Sequence, residues 1–227
     1  MPLLDVVANN VWAYSVPHSF MGLHVGARMT VVKLSAGGLL LHSPVPVDEP
    51  LAQELAALGE VTHIVCPNLF HHVFAADVKQ RYPQAVLHGP AKLASKRKDL
   101  SLDAVLSETP HPDWGDDFEL VFIEGSMLHE TVFYHQASKT LIAADLIENF
   151  HQCDHGFTRW YLKLGGLWKV PGWHPVLRLV YLNRRKARAS VTRILEWPFE
   201  KLSLAHGEVI TDNARHQVRH GTEWFFE

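Results

Sequence analysis

A chain of 227 residues, 47% hydrophobic and 20% charged, carries enough apolar material for a sizeable core, and this composition excludes a largely disordered protein. A formal charge of −3 offers no general attraction to nucleic acid or anionic membrane, and no apolar run approaches the roughly 20 residues of a membrane span. The start, MPLLDVVANN, lacks the basic patch and long apolar stretch of a signal peptide, and the two distant cysteines, Cys66 and Cys153, form no paired motif, which points to a reducing, cytoplasmic setting.

Residues 11–15 and 29–34 carry β-branched and aromatic side chains, and Gly37-Gly38 marks a hairpin turn before a strand at 39–41. Leu51, Leu55 and Leu58 then recur at helical spacing, with Gly59 as the stop. A buried strand follows at 61–66, then a loop at Pro67-Asn68 and a second helix over 70–82 that ends at Pro83. Residues 85–88 read as a short strand stopped by Gly89-Pro90, and 91–98 as a helix with a basic exposed face. Strands are predicted at 118–123, 130–135 and 140–144, the last two flanking a turn at Ala137-Ser138-Lys139. The stretch 149–182, rich in Trp, Gly and Pro, has no clear period and reads as an insertion; beyond it come a basic-faced helix at 184–196, a strand at 201–205 and a helix at 212–221. No internal repeat or linker divides the chain, which reads as a single domain over 1–227 in which two sheets are covered by helices.

Sixteen histidines stand out, although one taken alone is usually a surface residue or a hydrogen-bonded core residue. Four segments share a pattern in which a short apolar strand ends and a His or Asp follows at once: LLLHSP (His42), HIVCPNLFHH (His71, His72), LIAADL (Asp145) and LSLAHGE (His206). Converging at one sheet edge, such groups make a nitrogen and oxygen site for zinc, or for iron or manganese.

The order of these segments resembles the metallo-β-lactamase superfamily, and within it an uncharacterised branch that carries the PNLFHH segment. The resemblance runs from the opening strands to His206 and implies an α/β fold, an αββα four-layer sandwich with a metal centre at one edge of the paired sheets. His42 stands where the superfamily's early strand ends in an aspartate. In the loop that is usually Thr-His-x-His-x-Asp-His, His72 takes the last position and His71 the aspartate, but Leu69 and Pro67 replace the two earlier histidines and Cys66 the threonine. Ser126 replaces a further histidine, with His129 three residues on, whereas Asp145 and His206 match their motifs. The first-metal position has therefore lost nearly all of its ligands, with His129 left either to reach the site from a shifted turn or to make a structural hydrogen bond. The resemblance implies one divalent ion, zinc before iron or manganese, on His72, Asp145 and His206. His71 comes fourth, because neighbours on a helix do not share a face.

Asp145 would then serve the catalytic centre, with His42 or His129 moving protons. The expected activity is that of a metal-dependent hydrolase on an unidentified small molecule. The alternative is a metal-free or structurally metallated binding protein that kept the fold and lost the chemistry. Lys96-Arg97-Lys98 and Arg184-Arg185-Lys186 read as solvated helix faces or anion subsites. Trp160, Trp168 and Trp173 read as a lid, a homodimer surface, a membrane-contacting patch or plain packing.

Overall fold

Alternation of inward and outward side chains along the strands fixes four layers. The computed structural model describes residues 2–227. One sheet takes β1 (Asp5–Ala8), β2 (Val11–Val16), β5 (Ala27–Lys33), β6 (Leu39–His42), β7 (Val61–Val65), β8 (Val86–Gly89) and β9 (Ala104–Val105) in that order, with β3 (Ser19–Phe20) and β4 (Leu23–His24) forming a separate small hairpin. Pairing is antiparallel from β1 to β6 and parallel from β6 to β9. The second sheet orders β10 (Phe118–Phe122), β11 (Thr131–His135), β12 (Thr140–Ile142) and β13 (Lys201–Ser203), with only the last pair parallel.

Three apolar layers hold these sheets. The outer face of the first packs Val31, Leu41 and Ile64 against Leu51 and Leu55 of α1 (Glu49–Leu58), Val78 of α2 (Ala75–Arg81) and Leu93 of α3 (Ala91–Lys96). Between the sheets, Val32, Leu40 and Val65 meet Trp114, Phe118, Phe133 and Ile142. The outer face of the second sheet, Val132, Tyr134 and Leu141, packs on Val191 and Ile194 of α5 (Arg184–Glu196) and Val218 of α6 (Ala214–Gly221). Val132, Phe133 and Tyr134 thus face alternate layers, as strand periodicity requires. This is the αββα order expected from the sequence.

Helix α1 ends at Gly59 as expected, and at its start the Asp48 side chain accepts from the Leu51 N–H at 3.0 Å. The second helix is shorter than expected. It begins at Ala75, and residues 71–74 form a turn. The opening strand β1 and the helix α4 (Gly156–Leu164) inside the insertion were not anticipated. Within that insertion Trp173 is buried in the core, Trp168 packs against Phe150 and Leu162, and Trp160 stays exposed beside Phe157. Cys66 is fully buried, and burial pushes its thiol up to about 12, so it is inert. Among the described residues, no helix is long and apolar enough to cross a membrane.

Candidate metal centre

The strand-end pattern brings four loops together. Ser43 follows β6, His71 lies in the loop after β7, Asp145 follows β12, and His206 follows β13. One ligand atom from each of His71, Asp145 and His206 lies within 4.8 Å of the others. Both imidazole Nε2 atoms face the same carboxylate oxygen, Asp145 Oδ1, at 3.3 Å from His71 and 3.4 Å from His206.

The far side of each ring is tied down. His206 Nδ1 donates to the Gly26 carbonyl at 3.0 Å, and His71 Nδ1 pairs with Ser43 Oγ at 2.8 Å. A carbonyl only accepts, so the neutral His206 ring carries its hydrogen on Nδ1 and turns an Nε2 lone pair towards Asp145. Two acceptors face each other unless a cation lies between them. Burial alone would lower the His206 pKa, but the hydrogen bond and charge of Asp145 raise it, so a proton is one such cation. A metal ion is the other. Zinc bonds of about 2.0–2.1 Å in a tetrahedron set ligand atoms about 3.3–3.4 Å apart, which matches both separations, whereas a charge-assisted N–H···O bond is shorter, about 2.7–2.9 Å. The donor set fits a divalent ion.

Asp145 is held by two side chains that the sequence motifs did not single out. Asn68, fully buried, donates from Nδ2 to Asp145 Oδ2 at 2.7 Å, while its Oδ1 accepts from the Phe70 and His71 N–H groups at 2.8 and 2.9 Å. One amide therefore folds the His71 loop and orients the carboxylate. Glu130 is also fully buried and accepts from the backbone N–H of Ala144 at 2.7 Å and of Asp145 at 3.0–3.1 Å. Burial, and then the neighbouring Asp145, push the Glu130 carboxyl well above the usual carboxylate range. Asp145 goes the other way: burial pushes it up, but the charges and hydrogen bonds of His71 and His206 hold it well below the usual carboxylate range. An acid at the start of an apolar strand, as in HETVFYH, was the available signal for Glu130.

Three further features close the surroundings. Burial pushes Glu148 up to about 7 despite the opposing charge of His206. Ser43 adopts φ 58°, a left-handed conformation uncommon outside glycine, and presents its hydroxyl to His71. Gly207 packs so closely on the Asn149 carbonyl that a Cβ there would lie 2.0 Å from the oxygen, which fixes the chain leaving His206.

The expected ligand set needs correction at one place. His71, not its neighbour, meets Asp145 and His206, because the expected helix has not yet begun. His72 turns instead to Arg97, whose Nη1 lies 3.0 Å from its Nδ1. The basic cluster of α3 grips this loop: Lys96 Nζ donates to the Leu69 carbonyl and lies over the Phe70 ring. Nor do the two expected proton carriers join the centre. His42 is buried edge-on to Phe133 with both ring nitrogens unpartnered, and burial, reinforced by His71, drives its pKa to about 3. His129 sits at φ 53° beside Phe122, with burial and then the Lys92 charge lowering its pKa.

A family model described as "Domain of unknown function (DUF4336)" matches residues 8–154. The chain belongs to the DUF4336 family. This match includes His71 and Asp145 and ends before His206. A search of curated proteins found no sequence relative of this DUF4336 chain. Solved structures show what the fold is. A metallo-beta-lactamase from Pontibacter korlensis is 15% identical, with 99% of this chain and 98% of that one covered and a TM-score of 0.69. The metal-soaked Flv1 flavodiiron core from Synechocystis is 14% identical at a TM-score of 0.66, covering 99% of this chain and 60% of that one. A fragment of a putative diflavin flavoprotein from Nostoc is 12% identical at a TM-score of 0.67, with 98% and 94% covered. This DUF4336 chain has the metallo-β-lactamase fold and carries candidate His and Asp metal ligands within it.

Proposed function

We propose that this chain is a mononuclear metal-dependent hydrolase, with His71, Asp145 and His206 holding one divalent ion, zinc before iron or manganese. The observation that carries this reading is the pair of Nε2 atoms facing one carboxylate oxygen at 3.3 and 3.4 Å, each ring oriented from behind. When bound, the ion supplies a Lewis acid for hydrolysis. The chain supplies the rest. Asn68 and Glu130 hold Asp145 in place, and Ser43 and Gly26 hold the two rings. Burial raises the carboxyl of nearby Glu148 despite the charge of His206.

Ester, thioester and phosphoester substrates, assayed with tag-free protein, test this reading. Metal-dependent turnover should fall at least about 100-fold in Asp145→Asn. Stoichiometric metal without turnover on any of the three classes would favour the non-catalytic reading, which draws support from the replacement of both early loop histidines by Pro67 and Leu69.

A further inference from the structure

Four more histidine and aspartate side chains meet between the first sheet and the turn that precedes β10. His63 in β7 and His88 in β8 point to the same face of the sheet and are both 2% exposed. His63 Nδ1 and His88 Nε2 lie 3.0 Å apart. Two neutral imidazoles in such contact share one hydrogen, donated by one ring and accepted by the other. Across from them, Asp113 sits on the turn Pro112–Trp114 and His111 caps its start, Nδ1 accepting from the Asp113 N–H at 3.3 Å, while the Trp114 ring packs against all three imidazoles at centroid distances of 4.8–5.8 Å.

Ligand atoms of His63, His111 and Asp113 lie within 4.8 Å of one another. Asp113 Oδ2 is 3.8 Å from His63 Nε2 and 3.6 Å from His111 Nδ1. Both separations exceed hydrogen-bond length. They lie close to the edge of about 3.3–3.4 Å that a zinc tetrahedron requires. The cluster shares no residue with the centre at Asp145. We infer that His63, His111 and Asp113 form a second divalent transition-metal site, with zinc as the expected ion and the fourth position open to solvent.

In this site the His63 Nδ1–H donates to His88 Nε2, which leaves the His63 Nε2 lone pair for the ion and makes His88 the positioning residue behind it. Entry is from the surface, since the Asp113 side chain is 64% exposed. The ion would fasten the Pro112–Trp114 turn to β7 and so pin Trp114 over the layer between the sheets.

Cobalt(II) is the probe, titrated into chelator-stripped full-length protein and read by visible absorption and by elemental analysis after dialysis. The variant His71→Ala/His206→Ala, which removes the other centre, should still bind about one cobalt ion per chain with the spectrum of a four-coordinate site. Adding His111→Ala and Asp113→Asn, both at the surface, should weaken that binding at least tenfold. The same two substitutions made alone should remove one equivalent from the wild-type chain, so the result does not depend on the first variant folding. His88→Ala should weaken binding less than ligand loss does. Unchanged stoichiometry and affinity after His111→Ala/Asp113→Asn would overturn the site. Loss of this equivalent with the Asp145 centre intact, or the reverse, separates the two centres.

Discussion

Truncating Phe133 to alanine is expected to destabilise the protein by about 3–5 kcal/mol. The side chain is fully buried at the middle of the layer between the sheets, with ring centroids of Trp114, Phe118 and His42 at 5.7, 5.6 and 5.2 Å. Removing it takes away apolar contact and leaves a cavity walled by rigid strands on two sheets, which cannot close over it. His42 makes the site more sensitive, because its two ring nitrogens already lack partners and its neutral ring depends on a dry, apolar surround. Urea denaturation of the variant measures the loss. A change below about 1 kcal/mol would mean that Phe133 does not occupy the inter-sheet core.

Glu130→Ala is expected to cost about 2–5 kcal/mol and to weaken metal binding about 10–100-fold. Two buried N–H groups, of Ala144 and Asp145, would lose their only side-chain acceptor. The loop that presents Asp145 would lose its anchor at the same time. Glu130→Gln keeps the shape and one oxygen, so it should retain most of the stability and more of the metal affinity than the alanine variant. Equal losses in the two variants, measured by denaturation and by competition with a chromogenic chelator, would show that the acceptor geometry at Glu130 is not what supports Asp145.

The layers were legible because they follow from periodicity. Leu51, Leu55 and Leu58 with the Gly59 stop define α1, and the alternation through Val132, Phe133 and Tyr134 defines a central strand. Asp145 and His206 were legible for a similar reason, each following a short apolar strand. The choice between His71 and His72 was not. It turns on one side chain, Asn68, whose oxygen captures two successive N–H groups and delays the helix to Ala75, so that His71 faces the centre and His72 faces Arg97. A helical reading from residue 70 puts the wrong neighbour forward. Glu130 and Ser43 act through contacts with residues far along the chain, 15 residues away at Asp145 and 28 at His71, which local pattern does not encode. His63, His88 and His111 were scattered among other histidines until the sheet register and the Pro112–Trp114 turn brought them together.

The most direct test of the Asp145 centre is metal stoichiometry in His71→Ala beside His72→Ala, by elemental analysis of tag-free protein after dialysis. The His111→Ala/Asp113→Asn background keeps the second site silent. We predict about one tightly held ion per chain in that background and in His72→Ala, and none in His71→Ala, with all proteins folded by circular dichroism. Metal retained in His71→Ala, or lost only in His72→Ala, would contradict the centre described at Asp145.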